Sequence, residues 1–277
     1  MDILNQPAPT AEFAAQGFHL ARSLFSPEAA EALRAHVVEL ARTTDEYFLD
    51  GDRDPDSDDP LRRWPRMIHP HVSDPRMLDF LLEDRLRQRL RGLLGHEPLA
   101  VQTMVYFKPP GARGQALHQD QRYLRVSPGT CIAAWLALEH CDRANGGLQV
   151  VPGSHVVDVL CPVPSDSTQS FTSETVPVPE GMAAVDIVME PGDVLFFHGN
   201  LIHGSGPNTT TDRFRTIAVG HYATAGARRI SEFYPDAYTF DGHRVALEGD
   251  RSGGPCGVWE DGAYRTTSTV AASLAVH

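Results

Sequence analysis

The sequence contains no Cys-x-x-Cys pair: its four cysteines, Cys131, Cys141, Cys161 and Cys256, are scattered along the chain. It also has no apolar run approaching the ~20 residues that a bilayer-spanning helix needs. Its amino terminus, Met-Asp-Ile-Leu-Asn-Gln-Pro, lacks a basic region followed by an apolar stretch. Together these absences suggest reduced thiols, no membrane association and a cytoplasmic location. Positive charge is scarce as well. A net charge of -12 argues against nucleic acid or an anionic membrane surface as partner, because both need clustered Lys and Arg. Internal repeats and coiled-coil heptads are missing too. What remains is an ordinary soluble composition, 42% apolar and 22% charged over 277 residues, enough for one domain (1–277) with a sizeable core and a small-molecule partner.

The first strong local signal is a helix start at Ser26-Pro27-Glu28, where Ser caps, Pro fits the first helical position and Glu suits the positive end of the dipole. Leu33, Val37, Leu40 and Ala41 follow at helical spacing. A second helical region opens at Asp74-Pro75, with Leu78, Leu81, Leu82, Leu86, Leu90 and Leu93 on its buried face, so the helical part covers 26–95. From Leu99 the period changes to alternation, and strands are predicted at 99–108, 130–139, 147–151, 183–189, 193–198 and 214–222. Helices followed by a run of strands imply a sandwich or barrel with helices on one side, its core at 99–223. In the first strand Gln102, Met104, Tyr106 and Lys108 share a polar face that would look into a pocket. Residues 156–182 break the rhythm and are expected to form a lid over the barrel mouth. The tail, 224–277, is weakly patterned and expected to be irregular.

His118 and Asp120 stand one residue apart in an extended segment, so an imidazole and a carboxylate point the same way. With a second imidazole from a later strand they would form the two-His, one-carboxylate face that suits iron(II) and leaves three positions open. His140-Cys141-Asp142 has the same spacing but runs from a strand end into a surface turn. His69-Pro70-His71 has no carboxylate beside it and looks like a connecting loop. For the second imidazole, His203 follows apolar Leu201-Ile202 and precedes small residues, whereas His198 sits at a strand's end; His203 is chosen. Arg215 then appears within an apolar, β-branched strand, where a buried guanidinium suits a dicarboxylate's far end. Arg213 is the alternative, at the strand's edge.

Taken in order, these residues resemble the phytanoyl-CoA dioxygenase family of iron(II)- and 2-oxoglutarate-dependent oxygenases. The similarity runs through Lys108-Pro-Pro-Gly, Leu117-His-Gln-Asp, Ala134-Trp135 with Glu139-His140, Asn145-Gly-Gly, Val151-Pro-Gly-Ser-His155, and Phe196-Phe-His-x-x-Leu-Ile-His-Gly-Ser-Gly-x-Asn208. It implies a mainly β fold with flanking helices around a double-stranded β-helix (jelly-roll, cupin-like) core. It also implies iron ligation by His118, Asp120 and His203, and 2-oxoglutarate binding by Arg215, with Met104, Trp135 and Ser205 lining the cosubstrate. Gln102, on the polar face beside them, is assigned to the same subsite. One extra residue between Asn208 and Arg215 departs from the family's spacing, and the register that follows favours Arg215. Arg66 is the counterpart of the family's basic position ahead of the second helix. Tyr106, Lys108, Gln119, Tyr123 and Arg66 are candidates to line the substrate. The expected reaction consumes dioxygen, releases succinate and carbon dioxide, and hydroxylates a small metabolite, in the setting of specialised metabolite biosynthesis. Alternatives are an acyl-CoA hydroxylase of the same family and a non-enzymatic jelly-roll binding protein.

Overall fold

A computed structural model describes residues 10–269 apart from Asp50, Pro235 and Gly253. The first nine and last eight residues, and with them the Met-Asp-Ile-Leu terminus, lie outside the described residues. The helices are α1 (Thr10–Gln16), α2 (Pro27–Thr43), α3 (Pro60–Arg63), α4 (Pro75–Leu81), α5 (Asp84–Leu94) and α6 (Gln121–Leu124). Strands β1 (Phe18–Ala21), β2 (Met67–Ile68), β3 (Pro98–Lys108), β4 (Gln115–His118), β5 (Cys131–Ala137) and β6 (Leu148–Val150) come first. Then follow β7 (Val163–Pro164), β8 (Glu174–Thr175), β9 (Val185–Asp186), β10 (Val194–His198), β11 (His203–Ser205) and β12 (Arg215–Thr224). The tail adds β13 (Arg229–Ser231), β14 (Asp236–Tyr238), β15 (Arg244–Ala246), β16 (Glu248–Asp250), β17 (Pro255–Glu260) and β18 (Ala263–Thr269).

Two sheets face each other as a jelly-roll. The larger runs β1-β10-β5-β12-β3-β14-β15 with β2 on β3, and the smaller runs β4-β11-β6-β9. Alternation along β3 assigns its two faces. Val105 and Phe107 pack with Val37, Ala41, Leu81, Leu86 and Leu90 of the helices, while Met104 joins Trp135, Leu195, Phe197 and Val219 against Leu148 and Val150 of the smaller sheet. Helices therefore cover only the outer face of the larger sheet. Truncating a fully buried member such as Phe196 to Ala would cost about 3–5 kcal/mol.

Ser26 caps α2 by accepting from the Ala29 amide at 3.2 Å, with Pro27 at the first helical position. The second helical region is two helices, α4 and α5. A break at Leu82-Glu83 lets the Glu83 side chain accept from Arg85 N and cap α5. The tail is not irregular: it forms short strands, β14 pairing onto β3 and β17 with β18 as a hairpin. These strands are three to seven residues long, too short to show the apolar alternation that announces a strand. The thiols are not all free either. Cys161 and Cys256 form a disulfide, tying the start of the 156–182 segment to β17, while Cys131 and Cys141 stay buried as thiols. Among the described residues no helix is long and apolar enough to cross a membrane.

Candidate metal centre and cosubstrate pocket

Strand register builds the site. β11 lies between β4 and β6, with His203 directly opposite His118 on one side and Val150 on the other. Gly204 permits this approach, since a Cβ there would lie 2.8 Å from the Gln115 carbonyl oxygen. The chain turns after His118 so that Asp120 joins the two imidazoles, and ligand atoms of all three residues lie within 4.8 Å of one another. Asp120 Oδ1 is 3.6 Å from His118 Nε2 and 3.6 Å from His203 Nε2. All three side chains are buried.

Each imidazole is set for ligation by a backbone carbonyl. His118 Nδ1 donates to Ala116 O and His203 Nδ1 donates to Leu201 O, both at 2.9 Å, which leaves each Nε2 lone pair facing the shared point. Burial, with His118 beside it, lowers His203 to about 4, so it is neutral and able to ligate at ordinary pH. Burial alone would raise the Asp120 carboxyl. His203 and His221 beside it, with a hydrogen bond from His221, instead hold it well below the usual carboxylate range. Two imidazoles and a carboxylate on one side of a cavity fit a divalent first-row metal, and the three-ligand face suits iron(II).

The same cavity is lined by Tyr106, Gln115, Trp135, Leu148, Phe197, Ser205, Arg215, Val219 and His221. Arg215 faces Lys108 across the β12–β3 ladder, and both side chains are buried. The Arg215 guanidinium lies 5.5 Å from the Trp135 ring and donates to Gly146 O at 3.0 Å, while its Nε is buried with no partner. Lys108 Nζ donates to Ser205 Oγ at 2.8 Å, Gly206 O at 2.7 Å and Gly146 O at 3.3 Å. Gly146 has φ +74 and no room for a side chain, since a Cβ would lie 2.5 Å from Lys108 Cδ. Burial lowers both cations, and Lys108 is lowered further by Arg215. A buried pair of cations with a vacant donor fits an incoming carboxylate.

The neighbouring cavity, about 250 Å³, shares Tyr106, Ser205 and Arg215 and opens outward past Lys108, Arg66, Arg113 and Phe171. Arg66 lies over Phe171 at 5.4 Å, and Phe171 is placed there by backbone pairing of the 156–182 segment with Gly114. Tyr106 reaches Met104 Sδ at 3.7 Å, and burial pushes its hydroxyl up to about 12. The Tyr123 ring meets His118 at 6.2 Å between centroids.

Two assigned residues sit elsewhere. Gln119, expected to line the substrate, points away from the cavity between its two ligand neighbours: its amide donates to Val157 O, Asp158 O and Asn200 O and accepts from Leu160 N. Alternation explains this, since residues 118 and 120 share one side and 119 takes the other. Gln102, expected at the cosubstrate, has both ends of its amide occupied by His69 and His221. His221 itself carries no signal in the sequence reading, yet it donates to Asp120 Oδ2 at 3.1 Å. Its position six residues beyond Arg215, on the same face of β12, is the clue that was available.

The competing motifs resolve as structure. His140 and Asp142 form a surface network with Glu190 and Arg213, and Arg213 grips Asp142 at 2.7 and 3.1 Å. His198 packs against His155 at 5.6 Å.

The family model described as phytanoyl-CoA dioxygenase (PhyH) matches residues 13–217. The chain is 37% identical over 144 residues to the peroxisomal phytanoyl-CoA dioxygenase of Homo sapiens, covering 49% of this chain and 42% of that protein. It is 31% identical over 139 residues to phytanoyl-CoA dioxygenase 1 of Oryza sativa subsp. japonica, covering 50% of each. The chain thus spans about half the length of these curated relatives. Among solved structures, the epimerase SnoN in complex with Fe3+, alpha ketoglutarate and nogalamycin RO superposes with a TM-score of 0.60 at 22% identity, over 79% of this chain and 83% of that one. The fold is therefore shared with a structure that holds iron and 2-oxoglutarate. Matched across most of its length, the chain belongs to the phytanoyl-CoA dioxygenase family of iron(II)- and 2-oxoglutarate-dependent enzymes.

Proposed function

We propose that this protein oxidises a small metabolite, by hydroxylation, with iron(II) held by His118, Asp120 and His203 and 2-oxoglutarate anchored by Arg215. One observation carries the reading. The only group of three metal-capable side chains found among the described residues shares a cavity with a buried guanidinium that meets no carboxylate there. When bound, iron, 2-oxoglutarate and dioxygen supply oxidative decarboxylation to succinate and carbon dioxide, coupled to oxidation of a C–H bond.

The chain's own residues orient and exclude. His118, Asp120 and His203 would occupy one side of the metal and leave the other for reactants. Arg215, with Lys108 and Ser205 beside it, would hold the cosubstrate's distal carboxylate. Trp135, Leu148, Phe197 and Val219 wall the cavity and keep water out. Arg66, Tyr106 and Phe171 would meet the substrate at the mouth, and the 156–182 segment would serve as its lid. A small metabolite is favoured over an acyl-CoA because the mouth's arginines are engaged: Arg113 pairs with Asp59 and Arg62 with Asp54. Among the described residues no cluster of free cations is left there for the CoA phosphates.

The test is succinate release from a panel of candidate metabolites, with products read by mass spectrometry. Succinate formation should require iron(II), 2-oxoglutarate and oxygen, and should rise with the true substrate. Turnover that persists without oxygen would refute the reading.

A further inference from the structure

The Asp120 carboxylate is divided between two tasks. Oδ1 faces His118 Nε2 and His203 Nε2, each at 3.6 Å, whereas Oδ2 lies 3.1 Å from His221 Nε2. Behind His221 a buried chain of hydrogen bonds continues. Gln102 Nε2 lies 3.1 Å from His221 Nδ1, and His69 Nε2 lies 2.9 Å from Gln102 Oε1. The polarity of this chain follows from the carboxylate, which can only accept. His221 Nε2–H then donates to Asp120, its Nδ1 accepts from the Gln102 amide, and the Gln102 carbonyl accepts from His69 Nε2–H.

The backbone builds this arrangement. His221 pairs with Gln102 in the β12–β3 ladder, and the register shifts between His221 and Tyr222. Alternation along β12 sends the Tyr222 hydroxyl to Leu81 O on the helical side while His221 stays on the cavity side. His69, in a left-handed backbone conformation (φ +53), is wedged against Phe233, Tyr234 and His71. The far end of the chain is thus anchored on packed rings.

We propose that His221, oriented by Gln102 and His69, is a positioning residue that occupies Asp120 Oδ2 and so restricts Asp120 to metal ligation through Oδ1 alone. A carboxylate free to swing could ligate through both oxygens and take a coordination position that the reactants need. His221 prevents this by holding one oxygen in a hydrogen bond. The inference rests on the assignment of His118, Asp120 and His203 as metal ligands.

The test is anaerobic titration of the purified full chain with iron(II), and then with 2-oxoglutarate, following metal Kd and the visible charge-transfer band of the ternary complex. His221→Phe keeps a ring but removes the donor, and should weaken iron binding about 10–100-fold and shift or diminish the band. His221→Gln, whose amide nitrogen can sit where Nε2 sits, should recover most of the loss, which a merely structural role would not produce. Gln102→Leu, one step removed, should weaken binding by a smaller factor, and it carries the test if His221→Phe does not fold. Folded His221→Phe with wild-type affinity and band would overturn the proposal. So would unchanged binding in Gln102→Leu when His221→Phe is unfolded. If the wild-type chain itself binds no iron, the metal assignment fails, and the role of His221 falls with it.

Discussion

Arg215 and Lys108 stand opposite each other on adjacent strands, both buried, and among the described residues neither is paired with a carboxylate. Two desolvated cations side by side are unfavourable unless an anion joins them. The pair therefore marks where the cosubstrate's negative charge belongs.

Removing the guanidinium should cost a charge-assisted pair of about 2–4 kcal/mol, so Arg215→Ala is expected to raise the KM for 2-oxoglutarate by roughly 30- to 1000-fold. Lys108→Met should raise it less, by about 5- to 30-fold. Arg213→Ala, which removes only a partly exposed pair with Asp142, should leave it unchanged and cost little stability. Steady-state kinetics in 2-oxoglutarate checks all three. Equal KM values across the series would contradict the placement.

Gln119 is a structural residue in this account despite standing between two ligands. Its buried amide holds the 157–160 segment through three hydrogen bonds and Asn200 O through a fourth. Gln119→Leu is expected to lose about 2–4 kcal/mol in urea unfolding, because carbonyls and an amide are left buried without partners. A variant as stable as wild type but with altered substrate selectivity would restore the residue to the substrate site.

Acid should destabilise the metal-free chain in a defined window. Burial lowers His69 to about 4, His71 to about 3 and His198 to about 4, from an ordinary value of 6.5. Below about 6.5 the unfolded chain takes up protons at these positions while the folded chain does not. Stability is therefore complete above 6.5 and falls as pH drops towards 4, by on the order of 3 kcal/mol per ring. Denaturant melts at pH 7, 6 and 5 measure the slope, which His71→Asn should flatten. No decline over that range would contradict the burial of these neutral rings.

The disulfide offers a separate check. Cys161 and Cys256 are 95 residues apart, and opening their link should lower stability by about 2–4 kcal/mol. Thiol titration of the denatured, unreduced chain should find Cys131 and Cys141 only. Four reactive thiols would show that the bond does not form.

Much of this was legible in the sequence, and the limits are physical. Alternation along β3 brought Tyr106 and Lys108 to the cavities, while Met104 packs in the apolar layer between the sheets and Gln102 bonds His69 and His221. The spacing of His118 and Asp120, and the oddity of an Arg in an apolar strand, pointed to residues that do converge. Sequence could not give cross-strand register, which sets His203 opposite His118 and Gln102 opposite His221. For that reason the sequence alone places Gln102 at the cosubstrate and gives no sign of the contact between His221 and Asp120. The tail strands carry no legible pattern because runs of mostly three residues are too short to establish a period.

The most direct measurement is anaerobic iron(II) and 2-oxoglutarate binding by wild type and Asp120→Ala, followed by exposure to oxygen. The wild-type chain should bind one iron, show a visible charge-transfer band that needs both additions, and form succinate once oxygen enters. Asp120→Ala should lose all three. Full iron binding and succinate formation by Asp120→Ala, or neither by the wild type, would contradict the assignment of His118, Asp120 and His203 as the metal centre.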